Sequence, residues 1–315
     1  MNVSSWEWIA LIGAVIVMLA IDLVLFNRGK GEIKLRSALI WSVVWTAVGL
    51  AFTAVLVGAH DWKAGEQYLA GFVLEKSLST DNLFVFALIF SAFGVPALLQ
   101  RRVLFWGIAG AILLRAIFIF AGAALLDAFH YTLYVFAVFL VVTGVRMARH
   151  GDTEIHPENN PVLKLLGKLV PLSHDYDGER FSTVRDGKRL ATPLAGALIL
   201  VATFDVVFAV DSIPAIFAVT RETFIVFAAN AFSLLGLSAL YFLLVGSMDK
   251  FRYLKPALAL ILVIIGVKML LTDVWHVPVY ASLGVILATL AGAVVLSLLR
   301  PAAVTQADAP APPAA

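Results

Sequence analysis

Residues 191–219 read ATPLAGALILVATFDVVFAVDSIPAIFAV, an apolar run in which Asp205 and Asp211 are the only charged residues. A helix needs about 20 mostly apolar residues to cross the hydrocarbon core of a bilayer. A carboxylate in that core is costly unless it is paired, hydrated or bound to an ion. The stretch therefore predicts a membrane-spanning helix with two carboxylates that have a function.

The rest of the chain has the same apolar character. Of its 315 residues, 61% are hydrophobic and 14% are charged, and the mean hydropathy is +0.95. These values exclude an ordinary soluble domain. We predict an all-α, polytopic membrane protein in which about nine helices cross the lipid bilayer. The predicted helices cover residues 6–26, 37–57, 67–93, 103–126, 131–149, 191–219, 223–246, 256–272 and 277–299.

These helices are expected to form a single transmembrane domain over residues 1–300. Residues 150–190 are the only sizeable polar segment between two helices, and we predict that they form a cytoplasmic loop. Residues 301–315 are rich in Ala and Pro, which predicts a disordered tail. No basic region precedes the first helix, so no cleavable signal peptide is expected.

Basic residues predict the orientation of the chain, because cytoplasmic loops of membrane proteins are enriched in Lys and Arg. Every second connection is basic, whereas Lys63 and Arg221 are the only Lys or Arg residues in the other connections. We therefore place the N-terminus outside and the C-terminus inside the cytoplasmic (inner) membrane of a bacterium. The basic connections contain Arg28, Lys30, Lys34, Arg36, Arg101, Arg102, Arg149, Lys164, Lys168, Arg180, Arg185, Lys188, Arg189, Lys250, Arg252 and Lys255.

The sequence also contains an internal repeat. DAFHY at residues 127–131 matches DKFRY at 249–253, and GVRM at 144–147 matches GVKM at 266–269 with the same offset. The repeat relates the predicted helices 3–5 to helices 6–8, and a shift by three helices inverts the second copy in the membrane. Inverted repeats are typical of secondary transporters, whose substrate sites lie near the bilayer midplane.

Four acidic residues in the third and sixth predicted helices are the candidate ligands of a cation. Glu75 and Asp81 in the first copy of the repeat have the same separation as Asp205 and Asp211 in the second copy, six residues. Residues six apart on a straight helix differ by about 120° in direction and about 9 Å along the axis, so one pair is not expected to share an ion. The candidate metal ligands are Glu75, Asp81, Asp205 and Asp211, with Asn82 and Ser212 as neutral oxygen ligands. The secondary candidates are Asp22, Lys76, Arg115 and Asn230.

Two alternatives remain open at this point. The acidic residues could instead form structural salt bridges with Lys76, Arg115 and Lys268, and Arg115 could be a counter-ion or an anchor for a phosphate. Pro214 lacks an amide N–H and frees the carbonyl of Val210, which predicts either a broken helix beside the carboxylates or a tolerated kink.

Several other activities are not supported by the sequence. The chain has no cysteine, and the oxygen ligands that remain suit Mn²⁺, Mg²⁺ or Ca²⁺. No phosphate-binding loop and no hydrolase or zinc-protease motif occurs, so we predict neither an ATP-driven pump nor an enzyme. No cofactor and no nucleic-acid partner is expected.

Four segments are similar to the signature segments of the TerC/Alx family of integral membrane proteins. They are EKSLSTDNLFVF at residues 75–86, DVVFAVDSIPAIF at 205–217, GKRLATP at 187–193 and RETFIVF at 221–227. The resemblance covers about residues 5–300. It implies an exporter of a divalent cation, Mn²⁺ foremost, with Glu75, Asp81, Asp205 and Asp211 as ligands.

The leading hypothesis is a secondary transporter that exports Mn²⁺ against an inward flow of protons. The family is named for tellurite resistance, but carboxylates would repel a tellurite oxyanion, so any such resistance is expected to be indirect. The alternative is a membrane scaffold, or a stress or metallation component without transport activity of its own.

Overall fold

The protein is described from a computed structural model, which covers residues 1, 3–27, 35–129, 131–149, 173, 175–185, 188–245, 253–271, 274 and 278–299. The predicted disordered tail and most of the predicted loop at 150–190 lie outside these residues. Within them the chain forms the helices α1 Ser5–Asn27, α2 Leu35–Ala59, α3 Trp62–Phe93, α4 Ala97–Ala128, α5 Thr132–Arg149, α6 Pro193–Phe217, α7 Thr223–Leu234, α8 Leu237–Leu244, α9 Leu254–Leu270 and α10 Val279–Leu299.

This helical architecture confirms the prediction of an all-α, polytopic membrane protein. Of the described helices, six are long and apolar enough to cross a membrane, and a bent pair of helices raises the number to seven. The count of nine spans and the inverted repeat stay predictions. Large apolar side chains, such as those of Ile9, Ile16 and Leu113, are exposed on the outside of the helices. Such a surface is stable against lipid and would be a liability in water.

The predicted helix at 223–246 is divided in the structure, whereas the other predicted segments each coincide with one helix. Helices α7 and α8 meet at a bend of 44°. Gly236 directly precedes α8 and has a φ of 73°, a left-handed conformation that other residues adopt at a cost. The sequence signal for this break is a single glycine in an apolar run, which the prediction missed.

Helix α7 is the centre of the molecule. Every residue from Phe224 to Leu234 is buried, which is expected only of a helix surrounded by other helices. Helix α7 packs mainly against α3 and α4, and α6 in turn packs against α3 and α4. Helices α3, α4, α6 and α7 therefore form the interior that positions the candidate site.

Contacts between loops show which connections lie at the same end of the bundle. At one end the N-terminal amine lies 2.7 Å from Glu222 Oε1, and Thr220 Oγ1 donates to Gln67 Oε1 at 2.9 Å. At the other end the Tyr176 hydroxyl donates to the Phe93 carbonyl at 2.8 Å. Because α3 begins near the first end and α6 ends there, the two helices run antiparallel.

The polar connection before α6 contains a β-hairpin that the sequence analysis did not predict. Strand β1, Ser182–Arg185, pairs antiparallel with β2, Lys188–Ala191. The sequence between the strands is Asp-Gly, a dipeptide typical of hairpin turns, so a signal was present. The hairpin leads directly into Pro193 at the first position of α6.

Helices α5 and α9 cross very closely at two glycines. A Cβ atom on Gly144 would lie 2.8 Å from the Ala259 carbonyl oxygen, and one on Gly266 would lie 2.9 Å from the Ala137 carbonyl oxygen. The same kind of contact thus occurs twice, once from each helix. The residues of the two contacts are related by the same sequence offset as the GVRM and GVKM motifs. Small residues of this kind allow membrane helices to approach.

Candidate functional site

The predicted acidic residues Glu75 and Asp205 come together in the interior of the bundle. Asp205 lies midway along α6 and is 2% exposed, and Glu75 in α3 is fully buried. Since α3 and α6 are both packed against α4, their carboxylates face the same side chain of α4, Arg115. Glu75, Asp205 and Arg115 are the core of what we call the ionic cluster.

Arg115 is the shared partner of the ionic cluster. Its Nη1 donates to Glu75 Oε1, and its Nη2 lies 3.3 Å from Asp205 Oδ1. Nη1 also lies 2.9 Å from Asn230 Oδ1 and 3.3 Å from Ser212 Oγ. Arg115 is therefore a counter-ion in this structure, one of the two roles that the sequence left open.

Neutral oxygen atoms complete the lining. The hydroxyl of Ser79 donates to Glu75 Oε1 at 3.3 Å, and that of Ser212 approaches the same oxygen at 3.5 Å. The Asn230 side chain donates from Nδ2 to the Val226 carbonyl at 3.1 Å, which directs its Oδ1 toward the arginine. The cluster thus contains two carboxylates, an amide oxygen and two hydroxyls, all provided by buried or half-buried helix positions.

The charges of the ionic cluster do not balance. One guanidinium group faces two carboxylates, so the cluster is negative when both acids are ionised. Glu75 Oε2 and Asp205 Oδ2 are buried and have no hydrogen-bond partner among the described residues. Buried polar atoms are nearly always paired with protein or water groups. A cation, a proton or water is therefore expected at these oxygens.

Asp211 does not join the ionic cluster. It lies six residues after Asp205 on α6, and Thr143 Oγ1 of α5 donates to its Oδ1 at 3.4 Å. Arg146 of α5 lies close enough to interact with it electrostatically. The expected difference in direction between residues six apart explains why Asp205 and Asp211 face different helices.

Asp81 occupies the corresponding position on α3, and its side chain lies outside the described part of the structure. Because α3 and α6 are antiparallel, Asp81 and Asp211 lie toward opposite ends of the bundle relative to the ionic cluster. Asn82 is buried in α3, one position further along. In the described part of the chain, no group of three or more His, Asp or Glu side chains is close enough to hold one metal ion.

Pro214 does not break α6. The helix continues from Pro193 to Phe217, and the proline lies in its last turn. A proline near the end of a helix removes one hydrogen bond but has little helix left to redirect. Of the two possibilities that the sequence allowed, the structure contains the tolerated proline, and the prediction of a broken helix at this place is wrong.

The break between α7 and α8 instead exposes backbone carbonyls, and Lys76 binds them. Its Nζ donates to the Ser233 carbonyl at 2.9 Å and to the Leu235 carbonyl at 3.1 Å. Asp22 of α1 interacts with Lys76 electrostatically. Lys76 follows Glu75 directly in α3, yet it has different partners. The secondary candidates Lys76 and Asp22 therefore form a separate polar cluster.

Together these features define a helical integral membrane protein with a negatively charged, oxygen-lined cluster in its interior. The sequence matches the integral membrane protein TerC family over residues 60–304. The chain belongs to this family, which confirms the resemblance found in the sequence.

Individual relatives cover nearly the whole chain. It is 46% identical over 309 residues to the uncharacterized membrane protein STKORF319 of Myxococcus xanthus, covering 98% of this chain and 97% of the relative. It is 45% identical over 290 residues to the putative membrane-bound redox modulator Alx of Escherichia coli K12, covering 89% and 90%. An uncharacterized membrane protein of Rickettsia felis is 33% identical over 294 residues, covering 93% and 98%. No solved structure matches the chain.

Proposed function

We propose that this protein is a secondary transporter that exports a divalent cation, Mn²⁺ foremost, from the bacterial cytoplasm. The observation that supports the proposal is the ionic cluster, in which Glu75 and Asp205 each have a carboxylate oxygen without a partner in the described part of the chain. Carboxylate, amide and hydroxyl oxygens are ligands that suit Mn²⁺ and other hard divalent cations.

Arg115 and the transported ion compete for the same carboxylates in this proposal. With Arg115 in place the cluster has one excess negative charge, which is too little for a divalent ion and the arginine together. Binding of Mn²⁺ therefore requires Arg115 to move away from Glu75 and Asp205. Release of the ion restores the ion pairs seen in this structure, so neither state leaves the two acids without a partner.

The remaining candidate acids lie beyond the ionic cluster, one toward each end of the bundle. Asp81 and Asp211 each lie about 9 Å along their helices from Glu75 and Asp205, in opposite directions. Such a row gives a cation successive negative charges along its route. Coupling to an inward flow of protons is part of the proposal, because the carboxylates that release the metal ion are able to accept protons.

The second candidate function is a membrane scaffold or stress component that transports nothing. It is favoured by the ion pairs of Arg115, which a purely structural role would also contain. The name of the E. coli relative describes a redox modulator. Since this chain has no cysteine, any redox role would have to act without a thiol of its own.

Flux measurements on the purified protein separate the two functions. The chain is reconstituted into liposomes with an internal Mn²⁺-sensitive dye and an imposed pH gradient, beside protein-free liposomes. We expect Mn²⁺ entry that depends on the protein and increases with the gradient. The same assay with Mg²⁺ and Ca²⁺ measures selectivity. Equal rates in the two kinds of liposome, with correctly folded protein, would favour the scaffold.

A further inference from the structure

The polar cluster at the α7–α8 break has the composition of a second cation site. The last carbonyls of a helix have no partner within the helix, and the negative end of the helix dipole adds to their attraction for a cation. The Ser233 and Leu235 carbonyls at the end of α7 are such groups, and both accept from the Lys76 ammonium.

A carboxylate and an aromatic ring complete this second cluster. Asp22 is 5% exposed, and its Oδ1 has no hydrogen-bond partner among the described residues. The Trp45 indole N–H interacts with Asp22 but lies outside hydrogen-bond geometry. Trp45 also packs against the break, because a Cβ atom on Gly236 would lie 2.5 Å from the Trp45 Cβ. Helices α2, α3 and α7 thus meet at the break, and the carboxylate of Asp22 on α1 is within electrostatic range of it.

The charges at this position match a single positive charge. Two carbonyl groups accept from one ammonium group, and one carboxylate interacts with that ammonium electrostatically. In the ionic cluster, by contrast, the negative charge is in excess. We propose that the α7–α8 break is a monovalent-cation site formed by the Ser233 and Leu235 carbonyls with Asp22 as counter-charge. The ammonium of Lys76 is its resident cation, tethered to α3, so the bent conformation requires no free Na⁺ or K⁺. This inference does not depend on the proposed export of Mn²⁺.

Removal of the tethered cation should expose the site to ions from solution. We compare thermal unfolding of the purified full-length protein and of Lys76→Ala in choline, potassium and ammonium chloride at equal ionic strength. The alanine variant should unfold at a lower temperature than the wild type in choline chloride. Potassium or ammonium should raise its midpoint by about 3 °C or more, increasing with the logarithm of the ion concentration. The wild type should show the same midpoint in all three salts.

Two further variants complete the test. Lys76→Ala/Asp22→Asn lacks the counter-charge and should lose the response to potassium and ammonium. Lys76→Met, which retains the packing of the lysine stem, takes the place of Lys76→Ala if that variant does not fold. It should show a response of the same sign. Equal midpoints in the three salts for the folded lysine variant would overturn the proposal and leave Lys76 as a simple helix cap.

Discussion

Arg115 is 1% exposed and lies between two carboxylates that are equally buried. Removing an ion from water costs several kcal/mol, and attraction between opposite charges offsets this cost only if each group keeps its partner. Arg115 is therefore essential to the folded state shown here, whether or not the cluster also binds a metal ion. Neither Glu75 nor Asp205 is essential in the same way, because the loss of one acid leaves the other paired with Arg115.

Arg115→Gln leaves two buried carboxylates without a counter-ion and should lower the free energy of unfolding by about 3–5 kcal/mol. Addition of Glu75→Gln to the same chain should restore part of the loss. Thermal unfolding of the purified variants measures both effects.

The matched control is Arg102→Gln. Arg102 pairs with Glu179 at 2.9 Å on the surface, where ion pairs contribute about 0–1 kcal/mol. Equal effects of Arg115→Gln and Arg102→Gln would show that the buried carboxylates do not need Arg115 as a counter-ion.

Among individual residues, the sequence predicted the two acids of the ionic cluster but did not decide the role of Arg115. Glu75 and Asp205 stood out because charges are rare in apolar helices. The role of Arg115 depends on three helices that meet in space, which a linear pattern does not contain. Glu75 and Lys76 show the same limit, since adjacent residues of one helix belong to two different clusters.

Among the helices, the break between α7 and α8 was the main feature that the sequence did not predict. Pro214 is the stronger sequence signal but lies in the last turn of α6, where it disturbs little. Gly236 is the weaker signal but has a positive φ at the bend. The effect of a proline or a glycine depends on its distance from the end of the helix, and the packing of the helices determines where that end lies.

Helices α5 and α9 should not tolerate a larger side chain at the glycines where they cross. Gly144→Ala places a Cβ atom 2.8 Å from the Ala259 carbonyl oxygen, which is backbone and cannot rotate away. The helices must separate, at an expected cost of about 1–3 kcal/mol in the free energy of unfolding. Gly266→Ala should cost a similar amount, because the crossing is symmetric.

Gly110→Ala in α4 is the control for this pair. A Cβ atom there meets none of the described residues within 4 Å, so the change should be neutral or stabilise the helix by up to about 1 kcal/mol. Thermal unfolding of the three variants measures the difference. Equal midpoints for Gly144→Ala and Gly110→Ala would show that the close crossing is not required.

For the whole molecule, composition and the length of the apolar runs were enough to predict an all-α membrane protein. Only helices or closed barrels satisfy their backbone groups in lipid, and runs of about 20 apolar residues fit helices. The contacts of the N-terminus with the α6–α7 connection agree with the predicted alternation of loops. Which end faces the cytoplasm, the count of nine spans and the inverted repeat stay predictions, since they depend on a membrane and on residues outside the described ones.

The orientation is tested with single cysteines, since the chain has none of its own. Lys63→Cys lies at the predicted outer end and should react with an impermeant thiol reagent in intact cells. Glu179→Cys lies in the polar connection at the opposite end and should react only after the membrane is permeabilised. The reverse pattern would contradict the predicted orientation.

Mn²⁺ flux through Asp205→Asn in liposomes shows directly whether transport depends on the charge of the ionic cluster. This change removes the excess negative charge but leaves Glu75 paired with Arg115, so the protein should fold and reconstitute normally. We expect Mn²⁺ flux to fall about tenfold or more, a loss of about 1.4 kcal/mol or more in binding. The control Asp127→Asn, an exposed carboxylate at the end of α4, should transport at the wild-type rate. Wild-type flux through an equal amount of Asp205→Asn would show that the ionic cluster does not bind the transported ion.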